Sequence, residues 1–156
     1  VSQVYSLLHH AGPATTMCKP YENNVEAGAL AECKRAAARG RGIVAATAFN
    51  AGILVRGPDP ADGSTVICNY RPATEEELER ARGIERVCQA HGVPLPAAAL
   101  QFSVAHPIVA SLITGFGSPT EVGQCMEWMA HPIPEGLWAE LKAGGLIDAE
   151  APVPSA

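Results

Sequence analysis

The chain has 156 residues with a formal net charge of −5, and its 47% hydrophobic and 17% charged residues predict one domain with a buried core rather than a disordered tail. No block of like charge is longer than Glu75–Glu77, which argues against nucleic acid as a partner. No apolar run approaches the roughly 18 residues of a membrane span and no charged-then-apolar leader begins the chain, so the sequence predicts a soluble cytoplasmic protein without a membrane partner.

Apolar runs, glycines and prolines divide the chain into alternating strands and helices. In chain order we predict a strand at Val1–Leu8, a loop at His9–Asn24, a helix at Val25–Arg39, a strand at Gly42–Ala48, a long loop at Phe49–Pro72, a helix at Glu75–His91, a helix from Pro96 to about Val104, a strand at Ile108–Thr114, a helix from Ser118, a short helix holding Leu137, Trp138 and Leu141, and a frayed tail from Ala149. The segments at 42–48 and 108–114 are compact, mainly apolar runs of strand length, which are typical of parallel sheets covered on both faces. Strands separated by helices predict right-handed βαβ units.

Helix ends carry their own signals. Thr74 with Glu77, and Ser118 with Glu121, match the capping box, in which each side chain satisfies a free backbone N–H of the other. Gly92 is placed to end a helix in the left-handed conformation. The apolar residues Met126, Trp128 and Met129 of one helix are predicted to be core.

The cysteines and histidines indicate no metal site. Five cysteines with irregular spacing and no Cys-x-x-Cys pair are typical of free thiols in a reducing compartment. His9, His10 and Cys18 lie near each other, but no fourth ligand stands at metal spacing. The remaining histidines are predicted to be helix caps or turn residues: His91, His106 and His131.

Four motifs, in order and at consistent spacing, resemble the C-terminal part of the aldo-keto reductase family: Tyr5–Leu8, Ala48–Leu54, Ala98–Phe102 and Ile113–Glu121. The resemblance covers nearly the whole chain except an apparent insertion at about Ala11–Asn24. The Phe-Asn-x-Gly-Ile-Leu motif and the ending Trp138–Leu141 are most similar to the aldose 1-dehydrogenase branch, which acts on L-fucose or D-threo-aldoses.

This resemblance implies an α/β fold, a partial (β/α)8 TIM barrel in which residues 1–148 supply strands six to eight with their helices and 149–156 form a disordered tail. A whole barrel needs about 250 residues, and the chain starts at Val1 within a predicted strand, so we expect an N-terminal part to be missing. The family's catalytic Tyr, Lys, Asp and His come from the first half of the barrel, and none can be placed here.

What the resemblance leaves on this chain is the cofactor end. The turn after the second predicted strand would hold the pyrophosphate and ribose, since small residues let backbone N–H groups approach an anion. Alignment puts Ala46 at the position where the family has an aromatic residue that stacks on the nicotinamide. It puts Ser2 at the position of a Gln that holds the carboxamide, and Gln3 is one residue away from that position. The predicted cofactor-binding residues are Ser2, Thr47, Phe49, Ala51, Gly52, Gly115, Phe116, Gly117, Glu121, Gln124 and Cys125.

For the cofactor itself the resemblance implies NAD, with NADP possible. Alignment puts Gly115 and Glu121 where NADP-using members have the Lys and Arg that bind the 2′-phosphate, and Cys125 where the family has an Asn near the adenine. The implied function is part of an NAD(P)-dependent oxidoreductase acting on a sugar or other small carbonyl compound. The alternative is a non-catalytic half-barrel that binds nucleotide or protein. In either case open parallel edges predict self-association of the isolated chain.

Overall fold

A computed structural model of the chain describes residues 34–68 and 71–154. The helical residues 34–38 are followed by strand β1 (Ile43–Ala46), a 3-10 turn (Asn50–Gly52), helix α1 (Ile53–Arg56), strands β2 (Ile67–Cys68) and β3 (Arg71–Pro72), helices α2 (Glu75–Ala90) and α3 (Leu95–Ala105), strand β4 (Val109–Ile113), and helices α4 (Pro119–Ala130) and α5 (Glu135–Ala143). The predicted strand at Val1–Leu8, the loop after it and most of the predicted helix at Val25–Arg39 lie outside the described residues.

The two apolar runs pair as predicted, in parallel. β1 lies beside β4, with Val44 opposite Ser111 and Ala46 opposite Ile113 and an irregularity after the first pair. The connection between the two strands contains α1, the β2–β3 pair, α2 and α3, so a helical crossover joins parallel neighbours. This mixed α/β arrangement brings the ends of β1 and β4 to the same edge, which is where the candidate site forms.

The segment Phe49–Pro72 is not the structureless loop that its glycines and prolines predicted. It contains the 3-10 turn, α1, and an antiparallel pairing of β2 with β3 in which Cys68 lies opposite Arg71. These elements are two to four residues long, too short for hydrophobic periodicity to reveal. Two bonds of 2.9 Å from the Arg71 guanidinium to the Glu77 carboxylate join this hairpin to α2.

The first turn of α2 confirms the predicted capping box. Thr74 accepts the Glu77 N–H at 3.3 Å, and Glu77 accepts the Thr74 N–H at 2.9 Å. Burial alone would raise the pKa of Glu77, but its hydrogen bonds from Arg71, the Thr74 N–H and Cys68 outweigh burial and hold that pKa below its usual range. At the other end, Gly92 follows the helix with φ +66°, as predicted.

Helix α3 is the centre of the core. Its residues are buried on nearly every side, from Leu95 to Leu100 without a break, the pattern of a helix enclosed by neighbours. It packs against α1, α2, α4 and β4. Small side chains let these elements approach closely, and the larger buried side chains around it include Ile53, Ile84, Leu137 and Trp138.

Three regions differ in burial from the sequence prediction. Strand β4 is not covered on both faces, since Ala110, Ser111 and Ile113 are exposed. Met126 and Met129 are exposed rather than core, because α4 turns Cys125 and Trp128 inward and the two methionines lie on the neighbouring flank of the helix. The predicted frayed tail contributes the buried Ala151 to the core as far as the structure describes it. None of the helices in residues 34–68 and 71–154 is long and apolar enough to cross a membrane.

Candidate functional site

A cavity of about 550 Å³ opens where β1 and β4 end. Its walls come from two segments that are far apart in sequence: residues 46–56, which run from the end of β1 through α1, and residues 113–128, which run from the end of β4 into α4. Because β1 and β4 are parallel, both carboxyl ends meet at this edge. Ligands in parallel α/β folds bind at that edge, so this cavity is the candidate site.

The first wall is a turn with strained backbone. Thr47, Asn50 and Ala51 have φ of 59°, 45° and 58°, and within the described chain they are the non-glycine residues with positive φ. Gly52 follows at φ 107°. A left-handed conformation costs a non-glycine residue about 1–2 kcal/mol, and such residues cluster at functional sites. Three such residues in five positions make this turn a candidate functional segment.

Hydrogen bonds within the turn and to β2 maintain this conformation. The Asn50 N–H donates to the Thr47 carbonyl at 2.9 Å, and the Gly52 N–H donates to the Phe49 carbonyl at 3.0 Å. The buried Asn50 side chain donates to Cys68 Sγ at 3.3 Å. The N–H groups of Asn50 and Gly52 therefore already have acceptors inside the turn, and the prediction that backbone N–H groups of this turn approach an anion stays a prediction.

The second wall begins at Ile113 and continues through Gly115 and Phe116 to the start of α4. Ser118 caps the helix by accepting the Glu121 N–H at 3.3 Å. The Glu121 carboxylate accepts the Gly117 N–H at 2.7 Å rather than that of Ser118, so the predicted second capping box forms in its serine half only. The carboxylate is thereby fixed at the edge of the cavity.

Two aromatic rings join the walls. Phe49 from the turn and Trp128 from α4 both line the cavity and meet edge to face. Gln101 of α3 donates to the Trp128 carbonyl at 3.0 Å and to the His131 carbonyl at 2.7 Å. These bonds supply donors to carbonyls at the end of α4, where helix carbonyls lack the regular backbone partner, and the Trp128 carbonyl also accepts the His131 N–H at 3.3 Å.

The structure brings together most of the predicted binding residues. The cavity is lined by Thr47, Phe49, Ala51, Gly52, Gly115, Phe116, Glu121, Gln124 and Cys125. Gly117 borders it through its bond to Glu121, whereas Ser2 and Gln3 lie outside the described residues. Ala46 also lines it, without supplying the family's aromatic.

The lining residues that the sequence did not predict as binding residues include Arg56, Thr114 and Trp128. Arg56 is the consequential omission. Residues 115–127 contain no Lys or Arg, so the second wall offers no cation to a phosphate. Arg56 lies four residues after Gly52, on the other wall. The sequence did contain a signal for Arg56, since an arginine four residues after a predicted phosphate-binding turn can reach a bound phosphate.

The remaining histidines are structural. His106 and His131 are C-terminal caps of α3 and α4, and His91 ends α2 and bonds Glu140 at 2.8 Å. Among the residues that the structure describes, no group of three or more His, Cys, Asp or Glu side chains could hold a metal ion. His9, His10 and Cys18 lie outside that part of the chain.

Comparison with known proteins decides the family. The profile described as the aldo/keto reductase family matches residues 12–144. The chain belongs to the aldo/keto reductase family. The matched range includes residues 12–24 and leaves out Tyr5–Leu8, and the insertion at about Ala11–Asn24 stays a prediction. Family membership implies a TIM barrel, although which barrel strands β1 and β4 represent stays a prediction.

Two curated relatives are similar over part of their length. A D-threo-aldose 1-dehydrogenase from Pseudomonas sp is 41% identical over 106 residues, which cover 68% of this chain and 31% of the relative. A pyridoxal 4-dehydrogenase from Microbacterium luteolum is 36% identical over 109 residues, covering 70% of this chain and 31% of the relative. The matched region thus spans about a third of either relative. Both names describe oxidoreductases, in line with the family.

Proposed function

We propose that this chain is the cofactor-binding side of an NAD(P)-dependent oxidoreductase whose substrate is an aldose or a similar small carbonyl compound. The observation that carries the proposal is that residues from two distant motifs line one cavity at the carboxyl ends of parallel strands. The names of the two relatives favour an enzyme over a non-catalytic binding module.

The cavity has properties that fit a nicotinamide dinucleotide. Its volume of about 550 Å³ lies within the roughly 300–1,000 Å³ range of small-molecule and cofactor sites. Its walls combine aromatic and apolar side chains with a few polar groups, among them Thr47, Gln124 and Arg56. When bound, the dinucleotide supplies the hydride acceptor or donor.

The chain's own residues would bind and orient that group. Ala51 and Gly52 carry little or no side chain and leave space for a pyrophosphate. Phe49 and Trp128 present ring faces and edges to the cavity and exclude water from it. Gln124 and Cys125 on α4 would border the adenine. The acid–base residues of the family match no position of this chain, so proton transfer depends on residues outside it.

We further propose a preference for NAD over NADP. The wall at Gly115 offers no side chain, and the Glu121 carboxylate lines the cavity. Like charges held close together cost several kcal/mol, so a 2′-phosphate next to Glu121 would be disfavoured. A ribose 2′-hydroxyl could donate to the same carboxylate, as acidic residues accept it in other NAD sites.

Tryptophan fluorescence tests the binding site. Reduced nicotinamide absorbs where tryptophan emits, so NADH bound in the cavity should quench the emission of Trp128. The matched control is Trp138, which is buried in the core and does not line the cavity. Energy transfer reaches both tryptophans in a chain of this size, so the quenching is used as a titration signal: Trp128→Phe should bind NADH more weakly, and Trp138→Phe should bind it as the unmodified chain does. Equal affinities in the two variants, or no quenching in the unmodified chain, would overturn the proposed site.

Two further measurements test cofactor choice and activity. NADH should bind more tightly than NADPH, and Glu121→Arg should shift the ratio toward NADPH; tighter NADPH binding by the unmodified chain would contradict the preference.

The chain alone should reduce or oxidise no aldose above a no-protein control, because positioned acid–base groups contribute about 10²–10⁴-fold to such reactions. A longer protein that contains this chain should oxidise aldoses with NAD.

A further inference from the structure

Among the described residues that line the cavity, two carry charge, Arg56 and Glu121. A dinucleotide brings two negative charges on its pyrophosphate. Glu121 repels such a ligand and Arg56 attracts it. The balance of charge in the cavity therefore depends on whether the Arg56 guanidinium is available.

Several backbone N–H groups on the Arg56 side of the cavity are already hydrogen-bonded within the chain. The N–H groups of Asn50, Gly52 and Leu54 donate to carbonyls of Thr47 and Phe49 within the same segment. An anion next to this turn would have to break those bonds to gain these three donors, so a cationic side chain on this wall supplies an attraction that they do not. Arg56 ends α1, the short helix that follows the turn directly.

Arg56 is paired with a carboxylate that resembles a phosphate in charge and acceptor geometry. Its Nη2 lies 2.8 Å from Asp62 Oδ2, and both side chains are 59% exposed. Such an exposed pair contributes about 0–1 kcal/mol, so it can be exchanged for a stronger partner. A guanidinium binds phosphate through two parallel hydrogen bonds, which are charge-assisted and stronger than the single contact seen here.

Asp62 does not depend on Arg56 for its position. Its Oδ1 accepts the Ser64 N–H at 3.0 Å. Hydrogen bonds from Ser64, more than the charge of Arg56, hold the pKa of Asp62 below its usual range. The carboxylate would stay in place and ionised after the arginine turned away.

We propose that Arg56 binds a phosphate group of the nucleotide. When no nucleotide is bound, Asp62 pairs with the Arg56 guanidinium, so this carboxylate competes with the phosphate for the same side chain. This inference rests on the proposed nucleotide site. It assigns the charge recognition of the cavity to a side chain on the wall opposite the β4 end. Because NAD and NADP share the pyrophosphate, it is independent of the preference between them.

The test compares binding of ADP-ribose, which carries the pyrophosphate, with binding of adenosine, which does not, by calorimetry on the full 156-residue chain. Arg56→Gln should weaken ADP-ribose binding about tenfold to a hundredfold, the worth of a hydrogen bond between charged groups, and should leave adenosine binding unchanged. Asp62→Asn should tighten ADP-ribose binding up to about fivefold. In the double variant the Asp62→Asn effect should vanish.

Arg86→Gln is the matched control, since Arg86 is an exposed arginine of α2 that lines no part of the cavity. It removes the same charge from the chain and should leave both affinities unchanged. Arg56→Lys should fall between the unmodified chain and Arg56→Gln. Circular dichroism of each variant should match that of the unmodified chain, because Arg56 is exposed.

The outcomes separate this inference from the proposal it rests on. Equal ADP-ribose affinity in Arg56→Gln and Arg86→Gln, with binding retained, would reject the role of Arg56 and leave the nucleotide site standing. Loss of adenosine binding in Arg56→Gln would show a structural effect and also reject the role. No binding of ADP-ribose or adenosine by the unmodified chain would reject the nucleotide site itself.

Discussion

The rings of Phe49 and Trp128 meet edge to face, with centroids 6.1 Å apart and planes at 80°. Phe49 lies just beyond β1 and Trp128 in α4, so this contact joins the two walls of the cavity. A second pair, Phe102 and Trp138, lies in the core with the same centroid distance but nearly parallel planes, at 29°. Aromatic pairs contribute about 0.5–1.5 kcal/mol beyond the area they bury.

These two pairs allow a matched comparison. We expect Phe49→Leu to weaken NADH binding several-fold and to lower the free energy of unfolding by about 1 kcal/mol, since it removes the ring contact that closes the cavity. Phe102→Leu should cost about 1–2 kcal/mol, because Phe102 is buried, and should leave NADH affinity unchanged. Urea denaturation and tryptophan quenching measure the two quantities. Equal binding by Phe49→Leu and the unmodified chain would show that the contact is not part of the site.

Ala51→Gly tests the strain in the turn after β1. Ala51 has φ 58° and ψ 20° and is exposed. Relieving the left-handed conformation gains about 1–2 kcal/mol, and the added freedom of the unfolded chain costs about 0.4–1 kcal/mol. We expect a net stabilisation of up to about 1.6 kcal/mol by urea denaturation.

The control for that substitution has the opposite sign. Ala139 is exposed within helix α5, where glycine should destabilise the chain by about 1 kcal/mol. If Ala51→Gly destabilised the chain as much as Ala139→Gly, the turn would not be strained. A stabilised Ala51→Gly with weaker NADH binding would indicate that the strain orders the turn for its ligand.

Local signals in the sequence predicted local features. The capping box of Thr74 and Glu77 involves residues three apart, and Gly92 ends α2 through its own backbone, so both could be read without knowing the fold. The parallel pairing of β1 with β4 followed from two apolar runs separated by helices. The grouping of Gly52 with Gly115 came from the family resemblance, and the structure places them on the two facing walls of one cavity.

What the sequence did not predict depends on which side of an element faces its neighbours. Met126 and Trp128 are both apolar residues of α4, yet Trp128 packs inward and Met126 is 66% exposed. Arg56 reaches the cavity because α1 starts directly after the turn. It matters there because the opposite wall contributes a carboxylate, Glu121, and no cation. Such facts follow from tertiary packing, which overrides composition.

Self-association of the chain is the third prediction. Exposed large apolar side chains line the end of β4 and the outer side of α4: Ile113, Phe116, Val122, Met126 and Met129. Val122, Met126 and Met129 have the spacing of one helix face. Such a patch favours association, so we expect the chain to sediment as a dimer or larger species at micromolar concentration.

Substitutions on α4 and α5 test whether that face is responsible. Met126→Glu should shift the chain toward monomer in sedimentation velocity. Ala139→Glu adds the same charge on the exposed side of α5 and should leave the distribution unchanged. A monomeric unmodified chain, or equal effects of the two substitutions, would contradict the role of the α4 face.

The last prediction concerns pH. His106 caps α3, is buried, and accepts the Ile108 N–H through Nδ1 at 3.3 Å. Burial, and then the positive charge of Lys34, hold the pKa of His106 below its usual range. In the unfolded chain a histidine titrates near pH 6.5. As the pH falls below about 6.5, the unfolded state therefore takes up a proton that the folded state does not, and the free energy of unfolding decreases until the pH passes the lowered pKa.

His106→Gln should remove this part of the pH dependence while keeping an acceptor for the Ile108 N–H. Urea denaturation between about pH 7.5 and 5 measures it, above the range in which carboxylates such as Glu77 titrate. The slope lost should be at most about 1.4 kcal/mol per pH unit. His131 is the matched control: it precedes a proline and caps α4 with φ −66° and ψ 128°, close to the −70° and 126° of His106, but it is only half-buried. His131→Gln should leave the slope of the free energy of unfolding against pH as it is in the unmodified chain. If His106→Gln also kept that slope, the buried imidazole would not be what couples stability to pH.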